Sequence, residues 1–90
     1  MSERYERCPG VTEREVGEAA FLVDPTTDSL YHLNATAAAL WRLLAEPIDA
    51  GEAAEVLKAA FPEAPSDRVE TEVAGLFADL AGRGLIRRCG

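Results

Sequence analysis

The sequence predicts a small α+β domain of winged-helix-like outline, with an N-terminal three-stranded antiparallel sheet packed on three C-terminal helices. Three observations carry that prediction. Residues 11–33 are short apolar or β-branched runs separated by turn formers. Residues 35–82 carry three apolar stripes at helical spacing. At Ser29 to Trp41, "SLYHLNATAAALW", an alternation of period two passes directly into a period of 3.6 with no flexible linker. A chain of 90 residues holds one domain. Neither half can bury enough apolar surface alone, so the sheet must pack on the helices.

Residues 1–10 are polar, end in Pro9-Gly10, and are expected to form a flexible tail, or else a lead-in to a strand, ahead of a single domain spanning 11–90. "VTEREV" predicts a weak first strand over 11–16, closed by a tight turn at Gly17-Glu18. "AAFLVD" predicts a buried second strand over 19–24. The Asp, Pro, Thr and Ser residues of "DPTTDS" mark the next turn, because Pro25 pre-sets φ and the short polar side chains bond nearby backbone. "SLYHL" is the third strand, 29–33, with Leu30 and His32 on one face and Tyr31 and Leu33 on the other.

The first helix, 35–46, has Asn34 or Thr36 as cap and the stripe Ala37, Leu40, Trp41, Leu44. It must stop at Glu46, before Pro47. The second, 50–61, opens on Asp49 and Glu52 at capping-box spacing and buries Ala53, Val56, Leu57, Ala60 and Phe61. The third, 67–82, is capped by Ser66 and carries the most regular stripe: Val69, Val73, Leu76, Phe77, Leu80. Gly82 and Gly84 end it, and "GLI" over 84–86 returns to the core.

Composition excludes several functions. The net charge of −7 disfavours nucleic acid and anionic membrane surfaces, both of which need clustered Lys and Arg. No apolar run approaches the ~18 residues of a membrane span. The charged N-terminus has no signal-peptide core, which points to the cytoplasm. Cys8 and Cys89 form no metal-ligand spacing; they read as reduced, accessible thiols in frayed termini, with a disulfide between the termini as the alternative.

Nor is there a catalytic constellation. The single histidine, His32, lies mid-strand with no nucleophile at a useful spacing, so no enzyme activity is expected. There is no phosphate-binding glycine motif and no calcium loop, and no metal or cofactor is predicted. Trp41 and Tyr31 read as core aromatics before ligand-stacking ones. Two features exceed what folding requires. The third strand, if last in a simple meander, leaves an open edge without the Lys, Pro or bulge that usually blunts one. Gly75 interrupts the third helix at a cost of about 1 kcal/mol relative to Ala, on a shoulder shared with Arg68, Glu72 and Asp79. An open edge beside a shallow helix shoulder makes a groove for an extended peptide; tolerated drift or close packing within the domain is the other explanation for Gly75, and a loop or "GLI" lying over the third strand is the alternative to an open edge.

"LYHLNATAAALWRLL", "EAAEVLKAAFP" and "VETEVAGLFADLAGRGLI" together resemble the PqqD-like family of RiPP recognition elements, over Val11 to Ile86. The shared pattern is Leu33-Asn34 at the corner, Leu40-Trp41 after it, and Leu80 through Gly84-Leu85-Ile86 at the end. The resemblance implies a non-catalytic, standalone chaperone. It would bind the leader of a ribosomally made precursor peptide as a strand added to Ser29, Leu30, Tyr31, His32 and Leu33. Arg68, Glu72, Gly75, Leu76 and Asp79 would form the helix wall. It would then present the precursor to a modifying enzyme such as a radical SAM enzyme, protease or cyclase. The alternatives are a winged-helix nucleic-acid-binding regulator and a permanent non-catalytic subunit of a maturation enzyme. A monomer or an edge-mediated dimer is expected.

Overall fold

A computed structural model of the chain describes residues 3–89. In chain order the elements are β1 (Arg4–Arg7), β2 (Thr12–Val16), β3 (Ala19–Asp24), β4 (Ser29–Leu33), α1 (Ala35–Leu43), β5 (Ile48–Asp49), α2 (Ala50–Ala60), α3 (Ser66–Gly82) and β6 (Ile86–Arg88). The fold is α+β, with two three-stranded antiparallel sheets in the orders β2-β3-β4 and β5-β1-β6.

The meander forms in the expected register. Gly17, with φ of 64°, and Glu18 make a two-residue loop between the paired Val16 and Ala19. Positive φ at the first loop position alone is the II′ pattern, whose twist matches the strands. In the next turn Asp24 Oδ1 accepts from the Thr26 N–H at 2.9 Å, and Asp28 takes a left-handed φ of 57°. At the strand-to-helix corner Asn34 Oδ1 accepts from the Ala37 N–H at 2.8 Å. Asp49 does the same for Glu52 at 2.7 Å. Ser66 does not cap α3: Pro65 is the cap residue, with no side-chain bond, and Ser66 is already helical. Proline's fixed φ and extended ψ set the chain up to turn into the helix one residue early. The α1 helix also ends sooner than expected, at Leu43, with looser turns carrying the chain to Pro47.

The expected tail is the main correction. Arg4–Arg7 is a strand, pairing on one side with β5 and on the other with β6. Its partners lie some forty and eighty residues away, so no local window reveals it; Met1 and Ser2 lie outside the described residues. "GLI" is likewise more than a return to the core. The Leu85 N–H bonds the Leu80 carbonyl at 2.9 Å and the Gly84 N–H bonds Ala81 at 3.1 Å, with Gly84 at φ 75°. This is a Schellman motif, sealed by the buried pair Leu80 and Leu85, and it launches β6.

Arg7 locks the second sheet to the first helix. Its guanidinium lies 4.5 Å above the Trp41 ring and donates two N–H groups to the Trp41 carbonyl, Nε at 3.0 Å. That carbonyl is one of the orphan acceptors of a helix C-terminus. Burial lowers the Arg7 pKa, against the opposing field of Glu13. Tyr5 of β1 meets Phe77 of α3 edge-on at 5.4 Å. The core between these layers holds Leu22, Leu33, Leu40, Trp41, Leu57, Val73, Phe77 and Leu80. Burying each large side chain contributes about 1.5–3 kcal/mol.

Antiparallel pairing of β1 with β6 also decides the cysteines. The Cys8 N–H bonds the Leu85 carbonyl and the Cys89 N–H bonds the Arg4 carbonyl, so the two lie at opposite ends of one ladder. Four residues of strand, about 13 Å, separate them, beyond the ~7 Å limit for a disulfide. Both are free, and neither sits in a frayed end.

Candidate functional site

In the sheet β2-β3-β4, the strand β4 pairs with β3 through Asp24–Ser29 to Ala20–Leu33. No strand of the described residues occupies its other side. The edge therefore presents a row of unpaired backbone donors and acceptors. Alternation divides its side chains as expected: Leu33 is buried and Tyr31 half-buried, while Leu30 is 64% exposed and His32 is exposed. His32 lies beside Phe21, centroids 5.3 Å apart, on the sheet face opposite the helices. Among the described residues no acid pairs with it, and its contact with Phe21 lies away from the helix-facing side.

The C-terminal end of α3 meets β4 at Tyr31. Tyr31 Oη donates to Asp79 Oδ2 at 2.7 Å, and Arg83 Nε donates to Asp79 Oδ1 at 3.1 Å. The Arg83 guanidinium sits 5.0 Å from the Tyr31 ring centroid. Burial, then the hydrogen bond to Asp79, push the Tyr31 phenol up to about 12. The same hydrogen bond, followed by that from Arg83, holds the Asp79 carboxyl below its usual range. These three groups tie the strand to the C-terminal half of the helix.

A cavity of about 400 Å³ lies where β4 ends, lined by Asn34 and Thr36 on one side and by Phe61, Ala64, Val69, Arg68 and Glu72 on the other. A second, of about 190 Å³, lies where β4 begins, lined by Asp24, Thr27, Ser29, Leu30, Tyr31, Arg83 and Leu85. Gly75 stands on the exposed face of α3, and a Cβ built there meets nothing within 4 Å. Close packing inside the domain is therefore not what it serves. Leu76 is half-buried against the core.

The structure thus sets Tyr31 against Asp79 and brings Arg68 and Glu72 to the Asn34 end of β4. It turns His32 away from the helix. Sequence reasoning missed Arg83, Phe61, Ala64 and Asp24. The spacing of Arg83 four residues after Asp79 is a signal that could have found the first. The others come to the groove only through the α2–α3 connection and the β3–β4 turn. Among the described residues no cluster of His, Cys, Asp or Glu is arranged to hold a metal, and no helix is long and apolar enough to cross a membrane.

The fold is shared with solved structures. One, "TbiB1 in Complex with the TbiA(beta) Leader Peptide", superposes with a TM-score of 0.76 at 20% identity, over 91% of this chain and 94% of the other. A second, the PqqD truncation of Methylobacterium extorquens PqqCD, has a TM-score of 0.75 at 20% identity, over 94% of this chain and 89% of the other. A search of curated proteins finds no match. The family profile described as coenzyme PQQ synthesis protein D (PqqD) matches residues 19–86, from the start of β3 to the start of β6. The chain belongs to the PqqD family.

Proposed function

We propose that the chain is a recognition element for ribosomally synthesised, post-translationally modified peptides, and that it binds the leader of a precursor as a strand added to β4. The open edge of β4 beside α3, with a cavity at each end, carries this reading. Main-chain hydrogen bonds from Ser29, Leu30, Tyr31, His32 and Leu33 supply affinity, and the helix wall of Arg68, Glu72, Gly75, Leu76 and Asp79 supplies selectivity. Family membership supports it. So do the descriptions of two proteins of the same fold: one is complexed with a leader peptide, the other is called a functional RiPP recognition element.

In this reading the chain does no chemistry. It meets the newly translated precursor in the cytoplasm and hands it to a modifying enzyme, such as a radical SAM enzyme, protease or cyclase. The α3 helix with its C-cap carries Asp67, Glu70, Glu72 and Asp79 against Arg68 and Arg83, which gives a nucleic-acid role no footing. The same edge is open to a second copy, and leader and copy would compete for it.

The test is a titration of isotopically labelled protein with a synthetic leader of the precursor encoded nearest its gene. Amide shifts concentrated in Leu30 to Leu33 are expected. Saturating leader with those amides unmoved refutes the reading.

A further inference from the structure

Resting on that reading, we infer that the outer face of the sheet β2-β3-β4, the face turned away from the helices, is the docking surface for the modifying enzyme. It takes an apolar protein surface that carries a carboxylate, and holds it weakly until the precursor joins the two.

Register decides what this face carries. Residues paired across strands share a face, so the outer face holds the rows Thr12–Val23–Leu30 and Arg14–Phe21–His32 and the pair Val16–Ala19. None of these side chains is acidic, although the chain has 16 acidic residues and a net charge of −7. The acids of the three strands, Glu13, Glu15 and Asp24, all fall on the helix side by the same register. One Glu13 carboxylate oxygen is buried there with no hydrogen-bond partner among the described residues, a placement that costs stability. A slip of β2 by one residue would turn Glu13 to solvent and Val16 inward. The register instead leaves Val16 67% and Leu30 64% exposed, beside the half-buried Phe21 and Val23. An antiparallel sheet with one solvated face usually makes that face polar. A solvated face that is largely apolar and free of acid marks a contact surface.

Charge and area select the occupant. Arg14 is the only Lys or Arg on this face, and no carboxylate of the described residues pairs with it. A second copy brings a second Arg14 and no acid to meet it, so the complement is a different surface that bears a carboxylate. Three strands by five residues give an outline of about 14 Å by ~17 Å, or ~240 Å². Even doubled for side-chain relief, that falls short of the ~800 Å² per partner of a stable interface. Alone, the face supports a transient contact. A second hold is open to one kind of partner, the enzyme whose substrate is the precursor. Leu30 and His32 belong both to this face and to β4, on whose free edge the leader lies. The precursor then ties enzyme and chain together, and the weak contact forms at the high effective concentration of a tethered pair.

The experiment measures, by interferometry, binding of the modifying enzyme encoded beside the precursor to the intact chain loaded with that precursor. Arg14→Glu reverses the one fixed charge of the face, and Val16→Glu puts a carboxylate into its apolar part. Both residues are exposed and lie on β2, separated from the free edge of β4 by β3. Each variant should bind the enzyme at least tenfold more weakly, the effect of losing one apolar contact or one charge pair, with precursor affinity within twofold of the parent. Melting curves check the fold, and Arg14→Glu carries the test if Val16→Glu is unfolded. An enzyme that binds both variants like the parent, or does not bind the loaded parent, overturns the inference and leaves leader binding at β4 standing. A parent dimer that Arg14→Glu dissociates gives the face to a second copy and also overturns it. A leader that leaves the β4 amides unmoved overturns the proposed function, and the inference with it.

Discussion

Proline at position 31 or at position 32 separates edge recognition from every other mode of binding. In an antiparallel strand the N–H groups alternate between the paired side and the free side. Within β4, then, one of Tyr31 and His32 donates to β3 and the other points to the open edge. Proline removes the donor and projects its ring where the N–H stood. On the paired side this costs a ladder bond, about 1 kcal/mol, plus the clash with β3. A domain of this size loses ~4–8 °C of melting temperature per kcal/mol, so that variant should melt at least ~5 °C lower. On the free side the fold loses nothing to β3, and the incoming peptide loses one main-chain bond and meets the ring. Leader affinity should fall at least fivefold, roughly 1 kcal/mol. Tyr31→Ala controls for loss of the Asp79 bond at position 31. Thermal melts and fluorescence titration with labelled leader read the two effects. The expected result is a crossed pattern, one variant defective mainly in stability and the other mainly in binding. Two stable variants that both bind leader like the parent would refute strand addition at this edge.

Arg7→Ala leaves the Trp41 carbonyl without its guanidinium partner and strips the cation from the Trp41 face. We expect a loss of about 2 kcal/mol by denaturant unfolding, with Arg14→Ala, exposed on β2, within ~0.5 kcal/mol of the parent. Gly75→Ala should stabilise the fold by about 0.5–1 kcal/mol, because its Cβ meets nothing, while weakening leader binding measured by calorimetry; a gain in both would remove Gly75 from the groove. The Tyr31–Asp79 link sets a pH window, read as the difference in melting temperature between the parent and Tyr31→Phe. The Asp79 carboxyl is held low, so its contribution is present above the ordinary carboxylate pKa and lost as pH falls below it. The Tyr31 phenol is held high, so its contribution is present below pH ~10 and lost as pH rises toward about 12. The difference should be largest near neutrality and shrink at both extremes.

What the chain determines locally was legible. The strands ending at Val16, Asp24 and Leu33, the caps at Asn34 and Asp49, and the stripe from Val69 to Leu80 all rest on interactions within a few residues, and these the structure reproduces. The open edge of "SLYHL" was legible only as far as the meander order; that it stays open was decided by β5 and β6, which come later in the chain and both pair with β1 instead. The strand Arg4–Arg7 was not, because its pairing needs Ile86–Arg88 and Ile48–Asp49 already in place. Its residues are mostly charged and carry no apolar alternation, and only partners distant in sequence distinguish that pattern from a polar tail.

The same division holds at the groove. Sequence alone determined that one shoulder of α3 bears Arg68, Glu72, Gly75 and Asp79, since helical spacing requires it. That Asp79 of this shoulder meets Tyr31 of β4, and that Arg68 and Glu72 line a cavity with Asn34, Phe61 and Ala64, was decided by packing. The amphipathic stripe orients the helix toward the core but leaves its rotation open by a fraction of a turn. Docking Tyr31 onto Asp79, and Tyr5 onto Phe77 from the other side, closes that freedom.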